Sequence, residues 1–378
     1  MKKLLLTTIT FLILGAAFFF GEDIVSAATY TVSPSEYGAY DNYKTIRNTL
    51  TKIGEEGGGT IVFKSGRYPI SNTLYVQSKT TLKFEQGVTL EKDTSSGSSS
   101  TMFQFIPFAW KDAGDMVSGY NGMHDIHFVG DGTTVIDMKN YNQGSTNAIA
   151  MVMANNKNVS FKGITFQNVK KGHLVEMDGC YNVRFEACTF KNMADNKYHN
   201  KEAVNLDTND WKTGGFSQSW SKKDNTPNKN ISFEFCHFEN LVRAVGTHRY
   251  SAKKYHTNIR FINNQVVNVK TPLGMLNWKN STISDNTFTS CKANKKYNYS
   301  FFMAGVRNVN FTRNQFINVK AKDVLKYYDK YQTSQKEYKA TKSKLSKKNI
   351  KALKKNYVKG TKRKFKLGKK KYKWKKLK

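Results

Sequence analysis

A repeated segment in the middle of the chain is the feature that most restricts its fold. Each copy begins with Asn, alternates apolar and polar residues, and ends on Phe-x-Asn or an equivalent sequence. The six copies begin at Asn158, Asn182, Asn230, Asn258, Asn280 and Asn308. Their starts are 24, 48, 28, 22 and 28 residues apart. A period of about 20 to 30 residues with strand-like alternation predicts a β-solenoid, in which each coil buries its apolar face against its neighbours.

The recurring asparagines are predicted to be structural. Asn tolerates the left-handed backbone of a turn, and equivalent amides in successive coils can stack. Cys188 and Cys236 also occupy one position in successive coils, so we expect them to be neighbours in the core. A chain of this size does not need a disulfide framework. We therefore expect its four cysteines to be buried free thiols, with one disulfide as the alternative.

The predicted solenoid opens with a short helix and a strand. Ile46, Leu50 and Ile53 fall on one helical face, and the glycine run at residues 57–59 ends that helix. An apolar strand and a Gly-x-Tyr-x-Ile turn at residues 66–70 follow. This combination resembles the opening segment of pectate-lyase-like right-handed β-helix proteins, a group that includes polygalacturonase-like and related polysaccharide-active proteins. The resemblance implies that the helix caps the open end of the solenoid.

Repeats and resemblance together predict an all-β protein: a single-stranded right-handed parallel β-helix with a short N-terminal capping helix and a basic C-terminal tail. We predict a signal peptide at residues 1–28, the β-helix domain at 29–320 and a Lys-rich tail at 321–378. The signal peptide has a positive start, an apolar run at 4–20 and small residues before the cleavage site. An uncleaved anchor is the alternative. The mature protein is expected to be secreted, monomeric and without a transmembrane helix.

Residues 321–378 hold most of the excess positive charge. They contain 24 Lys and Arg against 3 Asp and Glu, whereas the rest of the chain contains 37 against 25. On an exported protein this tail favours a polyanionic partner, either an anionic cell-wall polymer or an acidic glycan, which would retain the protein at the wall. Nucleic acid would bind only nonspecifically and fits export poorly. A solvated tail without a fixed partner is the alternative, and we expect disorder or a short basic module.

One short stretch, residues 202–208, is predicted to carry the functional site. Two apolar residues alternate there with Asn205 and Asp207, which predicts a strand with one apolar and one polar face. Irregular segments at residues 194–201 and 209–228 flank this strand and are the longest interruptions of the repeats. Polar groups on a rigid strand beside long loops favour a binding cleft.

Equivalent strands of adjacent coils bring more polar residues to the same place. Sequence alignment of the coils puts Glu176 and Asp178 one coil before Asn205 and Asp207, at a spacing of about 4.8 Å. The next coil adds Arg243, His248 and Arg249. We expect these side chains to form one exposed patch on the outside of the solenoid.

Such a patch predicts glycosidic bond cleavage by hydrolysis. This reaction needs two carboxylates, one of them a general acid with a raised pKa. The predicted catalytic residues are Asp207, His248, Glu202 and Asp224. The predicted substrate-binding residues are Glu176, Asp178, Asn205, Asp210, Arg243, Arg249, Trp211 and Trp278. Hydrolysis of a polysaccharide by these groups requires no cofactor, and no metal site is predicted.

Two other functions remain open. In a β-elimination lyase, His248 or a lysine would be the base and the carboxylates would bind Ca²⁺. In a noncatalytic carbohydrate-binding or surface-adhesion protein, the long face would only hold glycans. Polygalacturonase-like enzymes carry Asn-Thr-Asp, Asp-Asp, Gly-His-Gly and Arg-Ile-Lys motifs, of which residues 206–210 and 246–249 are similar only in order. The resemblance therefore implies the fold and leaves the reaction open.

Each of these residues also has a structural explanation. Asp207 can belong to a polar turn, Glu202 can pair with a lysine, and His248 can form a hydrogen bond with a neighbouring coil. The tryptophans can pack in the core or within a loop instead of stacking on a sugar ring.

Overall fold

The structure is a computed structural model and describes residues 28–143, 147–194, 201–293, 298–333 and 335–377. The predicted signal peptide lies outside this part of the chain apart from Ala28, and so does most of the predicted loop at 194–201. Within the described residues, no helix has the length and apolar character needed to cross a bilayer.

Two long parallel sheets wind around one core and form the predicted right-handed β-helix. Each central coil contributes two successive strands to the first sheet, sheet A, and one strand to the second, sheet B. Sheet B contains the strands Leu74–Tyr75, Thr101–Gln104, Ala148–Ala154, Gly172–Asp178, Glu202–Asp207, Arg243–Gly246, Thr271–Leu276, Tyr299–Ala304 and Asp323–Tyr328.

Sheet A is the larger of the two and runs the whole length of the solenoid. Its strands are Ala28–Val32, Gly59–Phe63, Arg67–Ile70, Thr80–Phe84, Thr89–Lys92, His124–Asp137, Lys157–Val169, Tyr181–Glu186, Thr189–Met193, Lys229–Glu234, His237–Glu239, His256–Ile262, Gln265–Val267, Trp278–Lys279, Thr282–Ser284, Thr287–Thr289, Asn310–Thr312, Gln315–Ile317, Tyr357–Lys359 and Lys375–Lys376. Two antiparallel hairpins lie outside both sheets, Lys330–Tyr331 with Thr341–Lys342 and Lys364–Leu367 with Lys370–Lys373.

The N-terminal helix, Ala39–Glu55, lies where the sequence predicts a cap. It buries Ile46, Leu50 and Ile53 in the main core cluster, so one face closes the first coils. At Gly58 the backbone φ is +137°, and a Cβ there would lie 2.8 Å from the carbonyl oxygen of Lys79. Only glycine fits this close turn from helix to strand. A short 3₁₀-helix at Phe108–Trp110 and a helix at Lys347–Leu353 complete the helical elements of the described residues.

The core of sheet A is a set of stacked phenylalanines. Phe185 pairs in register with Phe161 on one side and Phe233 on the other. Its ring lies 4.7 Å from that of Phe161 and 5.0 Å from that of Phe233, measured between centroids. Near the ends of the first three repeats, Phe166, Phe190 and Phe238 form a second stack. These stacks explain why most of the repeats keep an aromatic residue at these two places.

The repeated asparagines form the predicted amide ladders at the turns. Asn182 donates to the side-chain oxygen of Asn158 at 2.9 Å, and Asn308 donates to that of Asn280 at 2.9 Å. All four have φ between +50° and +56°. The ladder thus satisfies amides at positions where the left-handed backbone excludes most other residues.

The cysteines are free and buried, as predicted. Cys188 and Cys236 occupy equivalent places beside successive phenylalanines, and their thiols donate to the carbonyl oxygens of Phe161 and Phe185. Burial, followed by the neighbouring Cys188, raises the pKa of the Cys236 thiol well above its ordinary value. These thiols are core side chains.

The C-terminal segment corrects the prediction that the solenoid ends near residue 320. The strand Asp323–Tyr328 pairs with Tyr299–Ala304 in sheet B, and Tyr357–Lys359 pairs with Gln315–Ile317 in sheet A. Trp374 is 1% exposed and its ring lies 4.9 Å from that of Phe316. The segment is therefore an ordered basic cap, because its few apolar residues bury themselves against the last coil.

Sheet B departs from strict alternation, and this departure determines its outer face. Several of its strands place two consecutive residues in the core instead of one. These pairs are Ala150 with Met151, Leu174 with Val175, Ala203 with Val204, and Ala244 with Val245. In the central coil, the double-inward pair leaves Glu202, Asn205 and Asp207 for the outer face. Two other polar residues of the preceding coil, Glu176 and Asp178, pair in register with Asn205 and Asp207, as predicted.

Candidate functional site

The outer face of sheet B changes in character along the solenoid axis. An apolar outer cluster covers the N-terminal coils and contains Ile106, Val117, Ile149, Val152, Ala154, Phe216 and Trp220. An aromatic outer cluster covers the C-terminal coils and contains Tyr250, Leu276, Tyr299, Phe302, Ala304 and Tyr338. Between them lies a charged band of His173, Glu176, Asp178, Glu202, Asn205, Asp207 and Arg243. The apolar surroundings strengthen every electrostatic interaction within this band.

Two segments wall the charged band. The loop at residues 208–228 packs Phe216 and Trp220 onto the apolar outer cluster, and the Trp220 indole donates to the side chain of Gln104 at 3.2 Å. On the other side, Arg249 joins this loop to the C-terminal segment. Its Nη1 donates to the carbonyl oxygen of Thr213 at 2.9 Å and to the hydroxyl of Tyr338 at 3.0 Å.

A buried ion pair lies at the centre of the band. Arg243 Nη1 donates to Glu202 Oε1, and the two side chains are 4% and 0% exposed. The Nδ1 atom of His248 lies 3.2 Å from Glu202 Oε2. Burial alone would raise the pKa of Glu202, but the positive charges of Arg243 and His248 hold it far below its ordinary value. Glu202 is therefore an ionised partner of these cations.

Asp207 is hydrogen-bonded to the backbone that follows the strand Arg243–Gly246. Its Oδ1 accepts hydrogen bonds from the backbone N–H groups of His248 and Arg249, both at 2.9 Å. Its Oδ2 lies 3.4 Å from Nδ1 of His248. Burial raises the pKa of Asp207 and outweighs the opposing effect of His248. Asp207 and Glu202 in turn raise the pKa of His248 against the effect of its own burial.

Two carboxyl groups of the preceding coil lack such partners. Both carboxyl oxygens of Asp178 lack a hydrogen-bond partner among the described residues, and so does Oε2 of Glu176. Burial and then the charge of Asp207 raise the pKa of Glu176 to about 7. Burial, Glu176 and Asp207 raise the pKa of Asp178 well above its ordinary value. This part of the band therefore retains protons near neutral pH.

His173 completes the band, although the sequence analysis did not single it out. Its Nδ1 lies 2.6 Å from the backbone oxygen of Glu202, and its ring stacks on that of His248 with centroids 5.9 Å apart. Burial, followed by the charge of Lys201, lowers the pKa of His173 to about 3. It is a neutral imidazole that donates from Nδ1 to this carbonyl, which fixes its tautomer.

The band opens into two adjoining clefts of about 320 Å³ each. The acidic cleft is lined by Glu176, Asn205, Asp207, Ser217 and Gln218, among others. The aromatic cleft is lined by Arg243, Tyr299, Phe302, Tyr328 and Tyr338, among others. His248 and Arg249 line both clefts and separate them, so the two form one groove with a central constriction.

The remaining predicted residues lie away from this groove or are engaged elsewhere. Asp224 accepts from the backbone N–H of Gly119 at 2.7 Å in the loop. Asp210 accepts from the Ser251 hydroxyl and from the backbone N–H of Lys212. These two aspartates brace the loop and do not enter the charged band.

The two predicted tryptophans differ in their exposure, and only Trp278 contradicts the prediction. Trp278 is 0% exposed, and its indole donates to the Thr247 hydroxyl at 3.1 Å, so it cannot stack on a bound sugar. Trp211 is 63% exposed on the loop, with the ammonium group of Lys223 4.0 Å from its ring centroid. The expectation of an exposed carboxylate patch also needs correction, because the walls leave Asp178, Glu202 and Asp207 all 0% exposed.

The aromatic side of the groove was missed from the sequence. Phe302 lies under the Arg243 guanidinium, which is 5.3 Å from the ring centroid. Gly246 and Gly274 open the space above the strands, since a Cβ on Gly246 would lie 2.8 Å from Cδ of Arg243. Two consecutive apolar residues occur at 203–204 and at 244–245. This pattern in the sequence could have predicted that Glu202 and Arg243 lie on the outer face. Amides, hydroxyls and carboxyls beside aromatic rings suit a polyhydroxylated ligand.

A group of three or more His, Cys, Asp or Glu side chains with geometry for a metal ion is not found among the described residues. The charged band is instead arranged around protein cations. Arg243 neutralises Glu202, and His248 faces both Glu202 and Asp207.

Fold and site together define a parallel β-helix protein with a walled groove across one sheet. No family model matches the chain. Among curated proteins, it is 25% identical over 267 residues to plasmin and fibronectin-binding protein A of Streptococcus pneumoniae strain ATCC BAA-255 / R6. That match covers 63% of this chain and 36% of the relative, so the chain matches only about a third of the relative's length.

Solved structures show the same fold. The crystal structure of PfbA, a surface adhesin of Streptococcus pneumoniae, superposes with a TM-score of 0.65 at 19% identity, over 88% of this chain and 81% of that one. A second structure of this surface protein and adhesin gives a TM-score of 0.63 at 20% identity, over 87% and 85% of the two chains. The likeness establishes a parallel β-helix shared with a surface adhesin.

Proposed function

We propose that this chain is a noncatalytic carbohydrate-binding protein of the cell surface, which holds a glycan in the groove across sheet B. The observation that carries this proposal is that two of the predicted catalytic carboxylates are already bound by other groups of the protein. Glu202 is paired with Arg243, and Asp207 accepts two backbone hydrogen bonds. A general acid or base must reach the bond that reacts. These carboxylates instead position the groove.

The lining of the groove supports a glycan as ligand. Ser217, Gln218 and Asn205 offer hydroxyl and amide groups on one side of the constriction. Tyr328 and Tyr331, which are only partly covered, offer ring surface on the other. Sugars use both kinds of contact, because each ring has polar edges and apolar C–H faces. The likeness to a surface adhesin supports adhesion as the purpose of this binding. The name of the Streptococcus pneumoniae relative mentions plasmin and fibronectin, so both proteins should be tested as ligands.

Glycosidic bond cleavage is a second candidate function, and one observation favours it. Glu176 lines the acidic cleft with an unpaired oxygen and a pKa of about 7, which suits a general acid. Hydrolysis with Glu176 and Asp207 as the carboxyl pair is the enzymatic form of this proposal. β-Elimination, with His248 as the base, is the other possible cleavage reaction. A pectate-lyase-like relationship would agree with either reaction.

The charge of the C-terminal segment supports retention at an anionic surface. Residues 321–378 carry a net charge of +21, from 24 basic and 3 acidic residues. An exported protein with this segment would be held by an acidic wall polymer or glycan. Retention and groove binding are separate contributions to adhesion.

A blocked groove tests the proposed function. Ser217 is exposed and lines the acidic cleft, so Ser217→Trp should fill it. Lys222→Trp, on an exposed position of the same loop outside the cleft lining, is the matched control. On a panel of neutral and acidic polysaccharides, plasmin and fibronectin, we expect the first variant to lose at least about tenfold in affinity for one glycan, equivalent to ~1.4 kcal/mol. The control should bind like the unmodified protein.

The same panel separates binding from catalysis. New reducing ends without ultraviolet absorbance would show hydrolysis, and both signals together would show elimination. Either signal, abolished by Glu176→Gln or Asp207→Asn, would replace the noncatalytic proposal. Tight glycan binding without either signal supports it. Equal binding by both tryptophan variants would place the ligand outside the groove.

A further inference from the structure

The C-terminal hairpin concentrates positive charge in an unusual way. Its strands, Lys364–Leu367 and Lys370–Lys373, pair so that Lys364 faces Lys373 and Lys366 faces Lys371. These four lysines are exposed. Like charges directly opposite each other on paired strands destabilise the pairing. The hairpin supplies no compensating charge of its own, because residues 339–378 contain no Asp or Glu. The carboxylates beside it are Asp323 in the cleft and Asp329 next to Gly368 of the hairpin turn.

A cleft lies beside this hairpin. It has a volume of about 660 Å³ and is larger than either cleft of the groove. Its lining consists of Asp323, Lys354, Lys362, Lys364, Phe365, Lys366, Lys371, Tyr372 and Lys373. Six lysines against one carboxylate give this concave surface a strongly positive potential. We name it the lysine cleft.

An aromatic stack leads from the core to the lysine cleft. Trp374 packs between Phe316, at 4.9 Å, and Phe365, at 4.7 Å, measured between ring centroids. Phe365 in turn stacks on Tyr372 at 5.5 Å with 23° between the ring planes. Phe316, Trp374 and Phe365 are buried, whereas Tyr372 is only partly covered and lines the cleft. The core therefore holds the Tyr372 ring in place among the lysines.

Capping explains part of this composition. Lysines on the last strands of a solenoid keep another chain from pairing with the open edge. That role does not require lysines in facing pairs, nor around a concave surface that contains an aromatic ring. A bound polyanion would remove the repulsion between the facing lysines, and a sugar ring would pack on the tyrosine.

We propose that the lysine cleft is a second binding site, distinct from the groove, for an acidic polysaccharide whose carboxylate groups pair with the lysines and whose ring packs on Tyr372. The proposal specifies the site and ligand class for the surface retention proposed above, and it does not depend on the groove binding a ligand. Charge complementarity and the fixed tyrosine ring are its basis.

The test compares two double variants with the same change in charge. Lys366→Gln with Lys371→Gln removes one facing pair, and Lys347→Gln with Lys348→Gln removes two exposed lysines of the neighbouring helix outside the cleft lining. We expect the first to weaken binding of polygalacturonate by about tenfold and the second by less than about twofold. Tyr372→Ala should weaken it by about threefold to tenfold at unchanged charge.

Thermal unfolding gives a second readout. Without ligand, the Lys366 and Lys371 double variant should unfold at the same or a higher temperature, because it relieves repulsion. Equal losses of affinity in both double variants would overturn the proposed site, and full binding by Tyr372→Ala would overturn a sugar ring as the group it recognises. Polyphosphate has no sugar ring. If Tyr372→Ala weakened binding of inorganic polyphosphate as much as binding of polygalacturonate, a sugar ring would likewise be overturned as the recognised group. The Ser217→Trp variant should keep polygalacturonate binding at this cleft, so the two sites can fail independently.

Discussion

At the residue scale, protonation is the main property of the charged band. Glu176, Asp178 and Asp207 all have raised pKa values because they are buried, whereas Glu202 has a lowered pKa because of Arg243 and His248. A carboxyl group with a raised pKa stabilises the folded state at low pH and loses that contribution as pH rises through its folded pKa. Glu202 has the opposite dependence and loses its contribution as acid protonates it.

Glu176→Gln should therefore flatten the pH dependence of stability between about pH 4.5 and 7. The pKa of Glu176 rises from 4.5 to about 7 on folding, beside Asp207, Lys201 and His248. Its titration contributes a fall in the free energy of unfolding of up to about 1.4 kcal/mol per pH unit in this window. Denaturant unfolding at half-unit pH steps measures the difference. Glu239→Gln, at a partly exposed carboxylate, is the control.

If Glu176→Gln and the original protein show the same slope across that window, Glu176 does not hold a proton in the folded state. Glu176→Gln also removes a charge that raises the pKa of Asp178, so the difference in slope reports Glu176 together with its effect on Asp178. Asp178 makes the remaining slope steeper in the same direction, because its folded pKa is also raised.

The sequence predicted some residues of the site and not others. The alignment of Glu176 with Asn205 and of Asp178 with Asp207 is confirmed by the strand register. The two strands share one pattern, in which an apolar pair precedes the alternating residues. Strict alternation would put Glu202 on the same side as Val204. Because Ala203 and Val204 both point into the core, Glu202 instead lies on the outer face. Where such a pair occurs depends on core packing, which the pattern of a single strand does not reveal.

At the scale of elements, the buried asparagine ladder connects the coils. Asn286 Oδ1 accepts from the backbone N–H and the amide of Asn264, and its own amide donates to Asn314 at 2.8 Å. Asn314 is bonded to Asn356 in the same way. The ladder therefore continues across the predicted domain boundary into the basic cap.

Asn286→Ala should lower the free energy of unfolding by about 2 to 4 kcal/mol, because it removes the acceptor of the buried Asn264 backbone N–H and the side-chain donor to the Phe261 carbonyl. Asn310→Ala, on the half-buried outer side of a neighbouring strand, should change it by less than about 0.5 kcal/mol. Chemical denaturation of both variants measures this contrast. Similar effects at the two positions would mean that the ladder adds nothing beyond the amide itself.

Elements with strong repeats were predictable, and elements without them were not. The strand predicted within residues 202–208 lies at Glu202–Asp207, since its apolar residues stand out between two irregular segments. The strands Tyr357–Lys359 and Lys375–Lys376 were missed because lysines surround them. Average charge hides the single buried residues, Val358 and Trp374, that hold these strands on the last coil.

At the scale of the whole molecule, the two ends of the solenoid are closed differently. The N-terminal end is covered by one amphipathic helix, Ala39–Glu55. The C-terminal end is covered by the helix Lys347–Leu353 and the lysine-bearing hairpin. Both arrangements prevent the core of the outermost coil from meeting solvent or another chain.

Deletion of residues 340–378 should unfold most of the chain or leave it aggregated. The deletion exposes the last coil and removes Leu353, Val358, Phe365 and Trp374 from the core. Burial of these four side chains contributes at least about 6 kcal/mol, a large share of the stability of a typical domain. Circular dichroism and size-exclusion chromatography report the loss. A full-length variant with glutamine at Lys347 and Lys348 should remain folded and monomeric.

A truncated chain that unfolds cooperatively at the original temperature would show that the last coil does not need this cap. It would also return residues 340–378 to the status of a solvated tail. The sequence left a solvated tail as the alternative, because 19 of the 39 residues are Lys or Arg and none is acidic.

The order of clusters along sheet B gives the groove a direction. Every coil offers about three outward positions, and successive coils lie about 4.8 Å apart. A linear polymer bound along the solenoid axis would pass from the acidic cleft, over the constriction, to the aromatic cleft. The two ends of a polysaccharide differ, so a polymer turned end for end would meet these surfaces in the opposite order. If the groove binds a polysaccharide as proposed, its two unlike halves fix the direction of the polymer without contact to the reducing or the non-reducing end.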